Sequence, residues 1–444
     1  MKTSFPHPII ILLGFVILAG MLSYVVQSGS FDSVIEARTG REVVVPGSFH
    51  KVEDRNASLS EIALSIPRGL IEGADIMVLI LLLGGAFYVI EKTGALQVGI
   101  ESLIYSFRSK QFLLLYLIGF VFAICGATIA MQEEIIALTP VLVLLARKIQ
   151  YDLRSIIALS LGSALVGASF SPINPFGSLL AQKLAELDFS EGLGYRMVFF
   201  FLATFIWTSY HIKYGKSRSS QLVQVVSKPQ KISFRTGLIL LLAFGTVVVM
   251  GWGIIEKDWG YNEMGALFFI TGFACGLLGK LGINGTAKAY TQGFAELIFA
   301  GIIVGLARSV YLVLQETQII DPLIQSLFDP LSTLPKQFAA VGLFLSQALI
   351  HLPVPSTSGQ AVLTTPLAVP LMDLLGVSRQ IAVLSYQYGA GLMDLIVPTN
   401  GGMMAVIAAA AVPFNDWIRY IWKSWLLLMG IGLISILIAL IWFS

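Results

Sequence analysis

The sequence predicts an all-α polytopic membrane protein made of inverted-topology repeats, with two re-entrant hairpins and two broken helices. Three observations carry that expectation. The 444 residues are 56% hydrophobic and 12% charged, with a mean hydropathy of +0.83, whereas a soluble chain carries about 25% charged residues. Its apolar runs are long enough to cross a hydrocarbon core of roughly 30 Å, but four are interrupted by Gly, Pro, Ser, Thr and Asn. The second half of the chain repeats the landmarks of the first.

The elements follow in order, with orientation read from Lys and Arg in the short loops. Lys2 precedes an apolar stretch with no small-residue cleavage site after it, so Pro8 to Val26 reads as an uncleaved first span. A long loop to Glu72 balances Arg38, Arg41, Lys51 and Arg55 against Glu36, Glu42, Glu53 and Asp54, which suits the outer face; its stretch 59–70 is expected to lie on the membrane surface. Asp75 to Glu91 returns inward. The short amphipathic run from Leu96 to Phe107 reads as interfacial, and Arg108 and Lys110 mark the cytoplasmic side. Gln111 to Arg147 enters and leaves beside basic residues, the mark of a re-entrant hairpin, with its tip at Gly126-Ala-Thr-Ile-Ala-Met-Gln-Glu-Glu134. Leu153 to Leu184 is broken at Ser171-Pro-Ile-Asn-Pro-Phe-Gly177. Tyr195 to Ile212 leads into the most basic loop, with Lys213, Lys216, Arg218, Lys228, Lys231 and Arg235.

The second half repeats this order. Spans near 236–255 and 264–281 flank an outer turn containing Asp258, and a further run ends near Leu314. An amphipathic stretch, Gln315 to Lys336, precedes a hairpin from Gln337 to Leu375 with its tip at Leu352-Pro-Val-Pro-Ser-Thr-Ser-Gly359. Arg379 to Val412 is broken at Pro398-Thr-Asn-Gly-Gly402, and the last span leaves Ser444 outside. The reading gives nine crossings and two hairpins, with the N-terminus cytoplasmic. Thr139-Pro140 and Thr365-Pro366 stand 226 residues apart, as do Pro172/Asn174 and Pro398/Asn400; Arg154 to Ser160 and Arg379 to Ser385 stand 225 apart. The first hairpin ends in Arg147 and Lys148, while Asp373 to Arg379 has no net positive charge. The copies therefore face opposite ways, an arrangement found in many secondary transporters.

Backbone polar groups cannot be left unpaired in hydrocarbon, so broken helices survive only where protein or a watery cavity receives them. Half-helix N-termini suit a carboxylate. Unwound carbonyls with Asn, Ser or Thr oxygens suit Na⁺, which makes Gly126, Ser171, Asn174, Thr357 and Asn400 the candidate Na⁺ positions. Thr128, Ser356, Ser358 and Thr399 join Asn174, Thr357 and Asn400 as substrate-binding candidates, and Gln132, Gln360, Gln387 and Tyr388 are polar groups able to orient a solute. Glu133, Glu134 and Asp394 are acids at membrane depth, where carboxylates are costly and functional by default; they are candidate coupling groups, and Glu134 and Asp394 are candidate partners for a substrate ammonium. Arg154 and Arg379, at loop–helix junctions, are expected to snorkel. Cys125 and Cys275 lie in apolar runs and read as packing residues.

At these residues the sequence resembles the DcuC/YfcC group of the ion transporter superfamily, which holds C4-dicarboxylate carriers and proteins named as basic amino acid antiporters. The stretches are Gly126 to Glu134, Ser171-Pro-Ile-Asn-Pro175, Pro355-Ser-Thr-Ser-Gly-Gln-Ala361, Tyr386-Gln-Tyr-Gly389 and Pro398-Thr-Asn-Gly401. The resemblance implies an elevator mechanism and a homodimer. Scaffold elements at 1–110 and 236–336 would flank transport elements at 111–213 and 337–412, with a cytoplasmic linker at 214–235 and a final span at 413–444. This chain departs from the group at Ala390, where Asp is expected, at Asp394, where Asn is expected, and at Ala130, where Gly is usual.

The expectation is an ion-coupled or exchanging carrier in the inner membrane for an amino acid or related carboxylate-bearing solute. Its partners would be that solute, membrane lipid and a second copy of the chain, with no nucleic acid. No cofactor is expected beyond Na⁺ as a coupling ion. The alternatives are a C4-dicarboxylate carrier, a channel, or an intramembrane enzyme using His351 near Ser356 and Ser358, for which no third orienting group is evident. The Gly279-Lys280-Leu281 sequence is not a nucleotide-binding loop.

Overall fold

The computed structural model describes residues 7–37, 40–107, 110–188, 190–215, 232–257 and 259–443. Lys2, Arg38, Arg108, Lys216, Arg218, Lys228, Lys231, Asp258 and Ser444, used above to orient the spans, lie outside the described residues. The first helix, α1 (Pro8–Leu22), is followed by a polar segment that is not helical. There β1 (Gly29–Ser30) pairs with β4 (His50–Lys51), and β2 (Ser33–Glu36) pairs with β3 (Arg41–Val44), both antiparallel. These strands depart from an all-α expectation. Outside the apolar runs, a hairpin pairs backbone groups as well as a helix does, and Val43 and Val44 give β3 a buried face.

The helices then run α2 (Leu59–Glu72), α3 (Ala74–Lys92), α4 (Ala95–Ser106), α5 (Gln111–Ile129) and α6 (Glu134–Lys148). A capping box starts α2, in which Ser58 and Glu61 bond each other's backbone; the Ser58 hydroxyl and N–H hold the Glu61 carboxyl below its ordinary value. Helix α2 packs along α13 (Gly282–Glu316), with Gly69 and Gly73 against Gly305, and so is not free to lie on a lipid surface alone. Next come α7 (Leu153–Ile157), a π-turn at Ala158–Gly162, α8 (Ser163–Ser169), a break over 170–177, α9 (Ser178–Leu184) and α10 (Leu193–Tyr214). At the π-turn the Ala158 carbonyl accepts the Ser163 N–H five residues on and also Trp207 Nε1 at 2.8 Å.

After α11 (Phe234–Lys257), α12 (Tyr261–Leu278) and α13, α14 (Ile320–Phe328) ends in a 3₁₀ turn at Asp329–Thr333. Then α15 (Lys336–Ile350), α16 (Thr357–Leu374) and α17 (Arg379–Met393) repeat the order seen at 111–169. A second break, 394–400, leads to α18 (Gly401–Ala409), and α19 (Phe414–Trp442) closes the chain. Helices α3, α5, α12, α13 and α19 are long and apolar enough to cross a membrane; α1, Leu153–Ser169, Phe234–Met250 and α15 are shorter apolar helices. The 35 residues of α13 extend about 50 Å at 1.5 Å per residue.

Two groups of contacts position the site. In one, α3 packs on α13 and α12, and α2 on α13. In the other, α5 packs on α8, α15 on α17, α6 on α18 and α16 on α9. The α5–α8 crossing is tight: a Cβ on Gly126 would lie 1.9 Å from the Ala164 carbonyl oxygen, and one on Gly167 2.0 Å from that of Ala123. Arg154 and Arg379 hold their guanidinium groups at partly exposed helix starts, each paired with acids there. Arg154 pairs with Asp152 at 2.7 Å; Arg379 pairs with Asp373 at 2.8 Å and Glu186 at 2.7 Å.

Candidate functional site

Both hairpin tips and both breaks converge on one cavity of about 570 Å³, walled on the other side by α2, α3, α12 and α13. The first tip turns at Ala130, which takes a left-handed φ of 53° so that its N–H can bond the Gly126 carbonyl at 3.1 Å. Helix α6 then starts at Glu134, whose Oε2 accepts the Gln132 N–H at 3.1 Å. The second tip turns after Ile350, and Ser356 caps α16 by accepting the Gly359 N–H on its Oγ at 3.2 Å. Tyr386 donates its hydroxyl to the Thr357 carbonyl at 2.6 Å, which ties this tip to α17.

Each break is tied to the tip of the hairpin that precedes it. In the first, Ser171 Oγ donates to the Ala127 carbonyl at 2.6 Å and accepts the Asn174 N–H at 2.8 Å. Asn174 Oδ1 accepts from the N–H groups of Phe176 and Gly177, and its Nδ2 donates to the Gly126 carbonyl at 3.2 Å. In the second, Thr399 Oγ1 donates to the Leu352 carbonyl at 3.0 Å. Asn400 caps α18: its Oδ1 accepts from Met403 N at 2.8 Å and Gln132 Nε2 at 2.6 Å, and its Nδ2 donates to Asp394 Oδ1. Both asparagine side chains are thereby committed to shaping the loops.

Of the candidates from sequence, Gln132, Glu133, Glu134, Asn174, Ser356, Thr357, Ser358, Asp394, Thr399 and Asn400 line the cavity, as does Gln387. Gln387 donates Nε2 to the Ser171 carbonyl at 2.6 Å, and its Oε1 is buried without a partner. Five candidates are not in the lining. Thr128 turns its hydroxyl back to the Ile124 carbonyl, and Gly126 and Ser171 are sealed in the α5–α8 contact and its loop. Gln360 lies behind the second tip, bonded to His351. Tyr388 points to α19, where it meets Ser435. Tyr386 takes the place expected of Tyr388 because residues two apart on a helix point roughly 200° apart.

Sequence reasoning missed the opposite wall. Glu72 and Asp75, at the α2–α3 junction, Tyr261 at the start of α12, and Arg308 and Tyr311 of α13 all line the cavity. Its charged lining among the described residues is Glu72, Asp75, Glu133, Glu134 and Asp394 against Arg308. Arg308 is already paired with Glu72 at 2.7 Å. Asp394 is bonded to His351 at 2.8 Å from outside the lining, so Asp75, Glu133 and Glu134 make up the acidic surplus without an ion-pair partner among the described residues, and this surplus faces the N-terminal turn of α16.

The sequence profile of the DcuC family, described as C4-dicarboxylate anaerobic carrier, matches residues 5–441. The chain belongs to the DcuC family. It is a membrane transporter of that family, and it covers most of the length of the relatives it matches. A Haemophilus influenzae protein of uncharacterised function is 29% identical over 90% of this chain and 82% of its own. The Escherichia coli protein named "Putative basic amino acid antiporter YfcC" is 27% identical over 94% of this chain and 93% of its own. Among solved structures, the Alcanivorax borkumensis YdaH transporter superposes with a TM-score of 0.45 at 17% identity, covering 97% of this chain and 98% of that one. Neisseria gonorrhoeae MtrF, described among antimetabolite efflux pumps, gives 0.43 at 16%, covering 98% and 95%.

Proposed function

We propose that this transporter moves an amino acid or a related solute bearing both an amine and a carboxylate, by ion-coupled transport or exchange. The observation that carries the reading is the charge of the cavity: among the described residues five carboxylates line it, and its one arginine is already paired. A doubly anionic solute would meet repulsion there, with no free cation among the described lining residues to offset it. An ammonium group finds Asp394 and the hairpin acids, while the solute carboxylate finds the N-terminal turn of α16 at Thr357 and Ser358. The name of the Escherichia coli relative agrees with this reading.

The C4-dicarboxylate reading is kept as the second one, because it is what the family description says of the family. One experiment separates them. Proteoliposomes preloaded with L-arginine should take up labelled L-arginine by counterflow, and those preloaded with succinate should not exchange it. Succinate–succinate exchange without L-arginine exchange would reverse the assignment.

The proposed motion is of elevator type. The hairpins and broken helices at 111–213 and 337–412 slide against scaffold elements at 1–110 and 236–336, in a homodimer in the inner membrane with the N-terminus cytoplasmic and the C-terminus outside. The recurring helix order and the reciprocal packing of α6 on α18 and α16 on α9 support inverted repeats. All five candidate Na⁺ positions, Gly126, Ser171, Asn174, Thr357 and Asn400, already use a carbonyl or side-chain oxygen in hydrogen bonds. That favours a proton over Na⁺ as the coupled ion. Uptake that follows a pH gradient and ignores a Na⁺ gradient is the expected result.

A further inference from the structure

His351 caps the C-terminus of α15 and is wholly buried. Its ring nitrogens meet two oxygens: Nδ1 lies 2.8 Å from Gln360 Oε1, and Nε2 lies 2.8 Å from Asp394 Oδ1. A backbone group decides which nitrogen carries hydrogen. Gln360 Nε2 donates to the Gln347 backbone carbonyl at 2.8 Å and to Gln347 Oε1 at 2.7 Å. Turning the Gln360 amide over would press its oxygen against that carbonyl, which cannot flip. Gln360 therefore presents its oxygen to the ring, and His351 Nδ1 must donate. Nε2 and Asp394 Oδ1 would then be two lone pairs at 2.8 Å unless a proton stands between them. The contact holds one proton, shared by His351 and Asp394.

Asp394 connects this proton to the cavity. Its Oδ1 also accepts from Asn400 Nδ2. Its Oδ2 makes no hydrogen bond among the described residues, and the residue lines the cavity. Among the described residues His351 is its only ion-pair partner. The other titratable groups around it are Glu133 of the first tip and Tyr386 of α17, with Arg41 of β3 acting on Tyr386. Glu134 is turned to the Gln132 N–H, and Arg308 of α13 is held by Glu72. From α19, Trp417 and Trp425 present indole N–H groups to the Leu395 and Leu392 carbonyls and add no charge.

We propose that His351–Asp394 is the coupling site, where one proton and one cationic group of the solute are alternative partners of the same carboxylate. A solute ammonium arriving at Asp394 Oδ2 draws the carboxylate off the ring. The proton on Nε2 passes through Asp394 to cavity water, and His351 is left neutral with hydrogen on Nδ1. Departure of the solute lets the proton return. The result is exchange of a solute cation for a proton, and it rests on the amine-bearing substrate proposed above.

The test uses the purified full-length protein with L-arginine as probe, in weakly buffered solution with a pH-indicator dye. The native protein should release about one proton per L-arginine bound, with affinity changing by roughly tenfold per pH unit where the pair titrates. In His351→Gln, the binding that remains should release no proton and change less than about twofold between roughly pH 5.5 and 8. Native binding without proton release, or a native pH profile in His351→Gln, overturns the proposal and leaves the amine reading standing. Nitrogen NMR of ¹⁵N-histidine-labelled protein reads the same proton without any solute. The His351 signals, assigned by their loss in His351→Gln, should show Nδ1 protonated throughout and Nε2 titrating; a neutral Nε2–H tautomer overturns the shared proton. If the NMR pattern holds but native protein ignores L-arginine, the amine reading fails and the proton pair stands.

Discussion

The two helix breaks solve the same folding problem with different chemistry. In each, an asparagine bonds the N–H groups that open the next half-helix, and a hydroxyl, Ser171 or Thr399, ties the loop to the preceding tip. The difference lies in what the asparagine amide faces. Asn174 Nδ2 donates to a neutral carbonyl, Gly126. Asn400 Nδ2 donates to Asp394, which in turn bonds His351. The first break is a neutral hinge of the fold, and the second carries a buried ionisable network. Two breaks can therefore share their capping geometry while only one of them carries charge.

The sharpest attack on this comparison is Asp394→Ala. It should abolish L-arginine exchange and cost about 3–5 kcal/mol, because His351 loses its partner; counterflow and thermal unfolding check both. An Asp394→Ala protein that exchanges L-arginine normally would make the two breaks equivalent. Next in size is a matched pair. Asn400→Ala should weaken L-arginine binding by about tenfold or more and cost about 1–2 kcal/mol in lost capping. Asn174→Ala should cost about 1–3 kcal/mol by orphaning buried N–H groups, with binding within a few-fold of native. Equal binding losses in the two variants would erase the distinction.

Smaller effects sharpen the comparison of the tips. Ala130 holds a left-handed φ that costs an alanine about 1 kcal/mol relative to glycine, so Ala130→Gly should raise stability by about that amount in a denaturation assay. Arg379→Ala should change stability by about 1 kcal/mol or less, since its pairs with Asp373 and Glu186 are solvent-accessible.

Much of the candidate site was legible because its signals are local. Pro and Gly in an apolar run announce a break, and Asn or Ser beside them announce the groups that satisfy it. Nine of the candidates that line the cavity follow from those stretches. Gly126 and Ser171 sit in the same stretches but outside the lining, because the tight α5–α8 crossing consumes that face, whereas Thr128 lies on the outer side of α5 beside Ile124. Glu72, Asp75, Tyr261 and Arg308 carried no such signal. Glu72, Asp75 and Tyr261 stand at ordinary helix ends and Arg308 inside α13, far away in sequence, and only the packing of α2, α3, α12 and α13 sets them across from the tips.

Composition and the spacing of apolar runs alone determined membrane residence, because hydrocarbon accepts few charges and fixes the length of what crosses it. The two breaks were legible from Pro172/Asn174 and Pro398/Asn400, since broken helices call for the same residue types. Pairing of side chains across the chain was decided only in three dimensions. His351 and Asp394 stand 43 residues apart, and Gln132 and Asn400 stand 268 apart. Neither separation has a period, so the hydrogen bonds that turn these residues into one network exist only once the two tips and the second break have docked.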